Sequence, residues 1–209
     1  MIRLRTVATY LWLAGSVSPL AALECSRIDA PRLDFRLTAT LTVAGDPIPM
    51  SIEGSRRDVA IVRLRANDGT IDQLSEMRDF VPARTINGLN GESQTFSLRP
   101  VSGSISGFEP GAEANYEQTV FVNGKPLRTE KVTQRVTGEA SVTISGCPFH
   151  TLRIMRAFID KMSNARRVQE FDYAPALGYP LWMRIEAPSP SGPVIQIIQV
   201  TGAEIDIAS

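Results

Sequence analysis

The sequence has few of the side chains from which metal and redox sites are built. Among its 209 residues there are two cysteines, Cys25 and Cys147, and a single histidine, His150. A structural zinc site commonly takes four cysteine or histidine ligands, so we expect no metal and no cofactor. Charge of one sign is not in excess either, because 22 basic residues are balanced by 22 acidic ones. Nucleic-acid-binding proteins normally have a clear basic excess, so we do not expect nucleic acid as a partner.

Long apolar runs are missing after residue 23, and the one at the N-terminus is short. Arg3 and Arg5 precede the apolar stretch Val7–Val17, and the small residues Ala21-Ala22 end the segment. This three-part layout is typical of a secretory signal peptide. The apolar stretch is too short to span a bilayer as a helix.

We therefore predict a signal peptide over residues 1–22, cleavage after Ala22, and no membrane span in the mature chain. The short leader and the lack of an N-x-Ser/Thr sequon after residue 23 favour a periplasmic protein. Two alternatives stay open. One is that the segment is retained as an N-terminal anchor. The other is lipid attachment at Cys25, although Leu23 and Glu24 separate that cysteine from the small residues.

Alternation of apolar and polar residues with a period of two is the main pattern of the mature chain. It is clearest over Leu33–Val43 and is typical of a strand with one face in a core. Asn123-Gly124 predicts a two-residue hairpin turn, because both residues tolerate positive φ. Further strands are predicted at Asp58–Arg65, Gln94–Leu98, Gln118–Val122, Leu127–Val136, Ala140–Ser145, Phe149–Ile159, Arg167–Tyr173, Leu181–Ala187 and Val194–Ile207.

Other segments interrupt these strands. Ala44–Pro47 is expected to end the first one, and Asp160–Arg166 to form a hairpin tip. Apolar residues at spacings of three over Thr70–Phe80 favour a short helix or turn. Residues 82–113 are rich in Gly, Ser, Asn and Pro and are predicted to be rich in loops. We predict an all-β fold, with residues 23–209 forming a single curled antiparallel sheet, between a half-barrel and a barrel.

The inner face of a curled sheet either fills a core or lines a cavity, and the sequence leaves both alternatives open. If it lines a cavity, we expect an apolar pocket for a ligand. Its predicted lining is Phe35, Leu37, Leu152, Ile154, Phe171 and Met183.

The two cysteines are expected to form a Cys25–Cys147 disulfide, because export places them in an oxidising compartment. The bond would stabilise the fold by about 4–5 kcal/mol on a chain-entropy model. A redox or nucleophilic role for Cys147 is the alternative, but no second cysteine lies at C-x-x-C spacing. His150 lies on the opposite strand face, and no G-x-S-x-G motif accompanies it. We therefore expect no catalytic residue here.

Charged residues suggest two further sites, each with a simpler alternative. Hydrolysis of a glycoside needs two carboxyl groups about 5–9.5 Å apart. The candidates are Glu109, Glu113, Glu117, Glu170 and Asp172, which solvated strand faces would explain equally well. A basic cluster gathers around the hairpin at 149–173, and it either meets anionic lipid headgroups or an acidic partner, or forms the polar rim of the sheet. Its members are Arg153, Arg156, Lys161, Arg166 and Arg167.

The C-terminal half carries a recognisable arrangement. A strand ends at Ser145, a small-residue turn and Phe149 follow, and Tyr173-Ala174-Pro175-Ala176-Leu177-Gly178 comes some twenty residues after Ile154. Over about residues 138–187 this resembles uncharacterised bacterial periplasmic β proteins of the DUF3108 kind. The resemblance implies a curled antiparallel sheet similar to periplasmic lipoprotein carriers, and it supplies no catalytic residue. That family has Ala at the position of Cys147, which fits a disulfide peculiar to this branch.

Together these features predict an exported, non-enzymatic protein of the cell envelope. Its expected partner is an apolar, lipid-like ligand or another envelope protein. A carboxylate-based envelope hydrolase is the alternative.

Overall fold

The structure, a computed structural model, describes residues 35–43, 46–54, 59–65, 71–78, 81–87, 91–106, 108–144 and 146–207. The predicted signal peptide at 1–22 and the predicted disulfide partner Cys25 lie outside the described residues. Twelve strands form the described part: β1 Phe35–Val43, β2 Asp46–Gly54, β3 Val59–Arg65, β4 Ile71–Arg78, β5 Val81–Asn87, β6 Ser93–Gly103, β7 Glu113–Val122, β8 Lys125–Ile144, β9 Cys147–Asp160, β10 Arg166–Ala174, β11 Tyr179–Ala187 and β12 Val194–Ile207.

The strands form one antiparallel sheet that closes on itself. Each strand pairs with its neighbours in sequence, and β1 pairs with both β2 and β12. The predicted all-β antiparallel fold is confirmed, at the barrel end of the predicted range. Because the chain runs up and down, the turns alternate between the two ends. We call the end with the β7–β8, β9–β10 and β11–β12 turns the lower end, and the other the upper end.

The hairpin turns at the lower end follow the predicted chemistry. Asn123 and Gly124 both have positive φ, of 48° and 77°, so the predicted two-residue turn between β7 and β8 is confirmed. The predicted tip at Asp160–Arg166 joins β9 to β10, and Asn164 there has a φ of 57°. An asparagine tolerates this left-handed conformation better than most residues.

The segment Thr70–Phe80 does not contain the helix or turn that its spacing favoured, because β4 occupies Ile71–Arg78. The physical reason is a register shift where β3 pairs with β4, between Leu64 and Arg65. Such an irregularity inserts one extra residue in a strand. The extra residue is Asp72 of β4, so the shift accounts for the spacing of three between Ile71 and Leu74, which resembles a helical period.

The predicted end of the first strand at Ala44–Pro47 is confirmed, since β1 ends at Val43. The sequence patterns missed β2, which begins at Asp46 and includes two prolines. Pairing of β2 with β3 starts only at Met50, so Pro47 and Pro49 lie where β2 is paired with β1 alone. A proline is tolerated there because its missing N–H is not needed for a second ladder. The sequence patterns also missed β5, in which Pro82 lies at a register shift.

A single strand, β8, replaces the two strands predicted at Leu127–Val136 and Ala140–Ser145. Between them lies a bulge next to Gly138, where Thr137 is left unpaired because Val136 pairs with Ile154 and Gly138 with Arg153 of β9. Glycine in a strand commonly marks such a bulge, so it did not signal a turn here. The predicted loop-rich segment 82–113 contains most of β5 and all of β6.

The buried apolar side chains that the structure describes form three groups in the interior of the barrel. The upper group joins opposite walls, since Met50 of β2 and Val62 of β3 pack in one cluster with Ile144 and Phe149 of the β8–β9 hairpin. The middle group contains Val136, Ile154 and Phe171, and the lower group contains Tyr116, Val132 and Phe158. A ring of twelve strands encloses more space than one of eight. The contact between opposite walls shows how that space is closed at the upper end.

Candidate functional site

Four of the six side chains predicted to line an apolar pocket form part of a packed cluster in the interior. Leu152, Ile154 and Phe171 are buried in one cluster, and Met183 packs against them. Phe35 and Leu37 lie on β1, in a stretch whose side chains are outside the described residues. The pocket remains a prediction.

A loop between β6 and β7 contributes to the packing of this cluster. The ring of Phe108 stacks on that of Tyr173 with a centroid separation of 5.1 Å, and Ala112 packs beside it. Ile105 packs against the lower cluster, and its carbonyl oxygen accepts a hydrogen bond of 3.0 Å from Nε2 of Gln134. The loop therefore places apolar side chains against the interior of the barrel wall.

Gln134 of β8 and Arg156 of β9 are polar side chains buried in contact with each other within this interior. Gln134 is 1% exposed and Arg156 is 4% exposed. Nε of Arg156 donates a hydrogen bond of 3.0 Å to Oε1 of Gln134, and its guanidinium lies 5.4 Å from the centroid of the Phe171 ring. Burial lowers the pKa of Arg156 to about 10, because the charged form loses its hydration. Arg156 is thus an interior residue and not a member of the predicted basic rim.

The lower end contains an open cleft of about 270 Å³, between the β9–β10 turn and the end of β11. Three arginines and two carboxylates give the cleft a net positive charge. It is lined by Arg128, Glu130, Asp160, Ser163, Ala165, Arg166, Arg167, Ala187 and Pro188. Strands β8, β9, β10 and β11, which are successive neighbours in the sheet, position these residues. The sequence cluster contained two of its arginines, but Arg128 was missed because it lies on a different strand.

Glu130 is the central acidic group of the cleft, and its side chain is only 7% exposed. Nη2 of Arg167 contacts both carboxylate oxygens, at 3.2 and 3.3 Å, and Nε of Arg128 lies 3.3 Å from Oε1. Nε2 of Gln118 donates a further bond of 3.4 Å. A buried carboxylate requires such compensation. Glu130 in turn orients two arginine side chains along the cleft.

Arg167 is itself held from two sides. Its guanidinium lies 4.2 Å from the centroid of the Phe158 ring, at the distance of a cation–π contact. Burial lowers the pKa of Arg167, and the charge of Glu130 partly offsets this shift. Arg166, by contrast, is exposed at the mouth and forms no ion pair within the described part of the chain. The cleft therefore holds one cation more than its own carboxylates neutralise, which suits an incoming anion.

The carboxylates considered for hydrolysis are mostly held by cations. Glu117 contacts both Arg99 and Lys161, and these hydrogen bonds lower its pKa. Asp172 forms a two-pronged pair with Arg153, at 2.9 and 3.1 Å, and Oε1 of Glu170 lies 4.0 Å from Nε of the same arginine. Glu113 pairs with Arg135 at 3.2 Å, and Glu109 lies exposed in the β6–β7 loop.

Cys147 and His150 point to opposite sides of β9, as their spacing predicted. Cys147 is buried in the upper cluster, whereas His150 is exposed with its Nε2 3.6 Å from Oε2 of Glu139. Cys25, the predicted disulfide partner of Cys147, is not among the described residues, so the disulfide remains a prediction. Across the described ranges no three His, Cys, Asp or Glu side chains converge as metal ligands. Nor does that part of the chain contain a helix long and apolar enough to cross a bilayer.

Comparison with solved structures finds a likeness of fold. The chain is similar to the crystal structure of the hypothetical lipoprotein YmcC from Escherichia coli K12, with 9% identity and a TM-score of 0.49. The likeness covers 86% of this chain and 89% of that one. No family model and no curated protein matches the chain. The resemblance to proteins of the DUF3108 kind therefore rests on the residues quoted for it.

Proposed function

We propose that the protein is an exported, non-enzymatic binding protein of the cell envelope, and that the cleft at its lower end binds an anionic group. The observation that carries this proposal is the excess of arginine in that cleft. Arg128, Arg166 and Arg167 line it, while its two carboxylates are already occupied by hydrogen bonds within the protein. Export is proposed from the N-terminal layout of a signal peptide.

The geometry of the cleft favours a phosphate or carboxylate. Guanidinium groups bind such planar or tetrahedral anions through two parallel hydrogen bonds. Arg167 and Arg128 are oriented by Glu130, so they lose little freedom when a ligand arrives. The cleft volume of about 270 Å³ suits a small headgroup rather than a large ligand.

A binding role fits the carboxylates better than hydrolysis does. The carboxylates of Glu117 and Asp172 each form ion pairs with arginine or lysine, and a general acid must instead hold a proton near neutral pH. The pKa of Glu117 is lowered, which favours its ionised form and therefore works against that requirement.

Titration calorimetry with sn-glycerol 3-phosphate tests the proposal. Arg166→Gln and Arg128→Gln each remove a charge-assisted hydrogen bond, so we expect affinity to fall about tenfold in either variant. Arg135→Gln is the matched control, because Arg135 lies on β8 outside the cleft and pairs with Glu113. Equal affinities in all four proteins, or no saturable heat in the wild type, would contradict the proposal.

A further inference from the structure

The lower end of the barrel carries exposed apolar side chains beside its cations. Of the eight large apolar side chains that are exposed among the described residues, five lie there. We call these the apolar rim: Leu127, Ile159, Met162, Val194 and Ile195. Met162 is at the tip of the β9–β10 turn and is 90% exposed. Scattered apolar residues need no explanation, but a group at one end marks an interaction surface.

The members of the apolar rim come from three neighbouring places in the sheet. The amide of Lys161, next to Met162, donates a hydrogen bond of 3.0 Å to the carbonyl of Thr129, close to Leu127. Val194 pairs with Ala187, which lines the cleft. The apolar rim therefore borders the cleft on both sides.

Cations alternate with the apolar rim. Ile159 lies between Lys131 of β8 and Arg166 of β10 across the sheet. Neither these two cations nor Lys125 forms an ion pair with any residue that the structure describes. The only lysines of the chain, at positions 125, 131 and 161, all belong to this end. The nearby acids do not neutralise the free cations, since Glu130 is bound by arginines and Asp160 by amides of its own turn.

We propose that the lower end docks on the surface of a bilayer that contains anionic lipids. The apolar rim enters the headgroup region, the free cations contact lipid phosphates, and one headgroup phosphate occupies the cleft. This inference rests on the proposed function and names its ligand. Surfaces that combine exposed apolar side chains with lysine and arginine bind bilayers in this way, and their affinity depends on anionic lipid. An acidic protein would account for the cations but not for Met162 at the exposed tip.

Vesicle flotation of the full mature chain tests the inference. We use vesicles of phosphatidylcholine alone and of phosphatidylcholine mixed with phosphatidylglycerol. The wild type is expected to float with the mixed vesicles only, and less so as salt is raised. Met162→Asp and Lys131→Gln should each lower the partition coefficient about fivefold. Val101→Asp is the control, because Val101 is also an exposed apolar residue, at 65% against 90% for Met162, but lies on β6 toward the upper end.

The outcomes separate this inference from the proposed function. If the wild type does not float, or floats equally with both kinds of vesicle, the membrane inference is wrong. It is also wrong if Val101→Asp weakens flotation as much as Met162→Asp does while both variants keep the wild-type melting temperature. If the flotation experiment fails in one of these ways but sn-glycerol 3-phosphate still binds saturably, the proposed anion-binding function stands and only the membrane inference is lost. That result would point to an acidic protein or a soluble anion.

Discussion

Asp160 fixes the turn that carries the most exposed residue of the lower end. Its Oδ1 accepts hydrogen bonds from the amides of Met162 and Ser163 and from the hydroxyl of Ser163, at 2.8 to 3.0 Å. The two bonds from Ser163 make the largest contributions to lowering the pKa of Asp160. Short polar side chains that bind the backbone two or three residues ahead are typical of turns. Asp160 and Ser163, together with the left-handed Asn164, therefore account for the shape of this tip.

Removing the hydroxyl in Ser163→Ala should raise the pKa of Asp160 part of the way toward its ordinary value, because the amide bonds remain. A folded-state pKa below the unfolded one stabilises the fold above the unfolded pKa. That contribution is lost as the pH falls through the folded pKa. The variant should therefore lose less stability on acidification below about pH 4. A carbon-detected NMR titration of Asp160 checks the direction, and an unchanged pKa would contradict it. Ser141→Ala, on the exposed face of β8, is the control.

At the scale of the element, the β7–β8 hairpin depends on the backbone of its turn. Gly124 has a φ of 77°, and a Cβ there would meet no atom within 4 Å. The cost of Gly124→Ala is thus conformational, and we expect the free energy of unfolding to fall by about 1 kcal/mol.

The same strand offers a matched control. Gly138 of β8 has no positive φ and equally open surroundings, so Gly138→Ala should leave stability unchanged or raise it by up to about 1 kcal/mol. Urea unfolding of the two variants measures the contrast. Equal destabilisation of both would show that crowding or side-chain packing, rather than φ, limits these positions.

These elements show what local sequence determines. Asn123-Gly124 correctly predicted the β7–β8 turn, and the alternation along β9 correctly predicted that strand, because turn type and strand face depend on neighbouring residues. The pattern failed at β4 and β2, where register shifts and one-sided pairing decide the outcome. Both depend on a second strand, which local periodicity does not contain.

At the scale of the whole molecule, the cleft could not be predicted because it forms only when the sheet curls. Arg128 and Arg167 are far apart in sequence, yet both contact Glu130. The sequence cluster correctly placed Arg166 and Arg167 together but included Arg156, which the curl turns into the interior. Burial of Arg156 reflects the face of β9 on which it lies, beside Phe158 and Ile154 in the alternating pattern.

The central claim is that the lower-end cleft is an anion-binding site, and arginine side-chain NMR tests it most directly. The Nε–H signals of the arginines are followed while sn-glycerol 3-phosphate is added. The account predicts saturable shifts for Arg128, Arg166 and Arg167, with Arg135 and Arg184 unchanged. Two results would contradict the claim. One is a parallel shift of all five signals, which would show screening by a general anion atmosphere. The other is no shift of any signal.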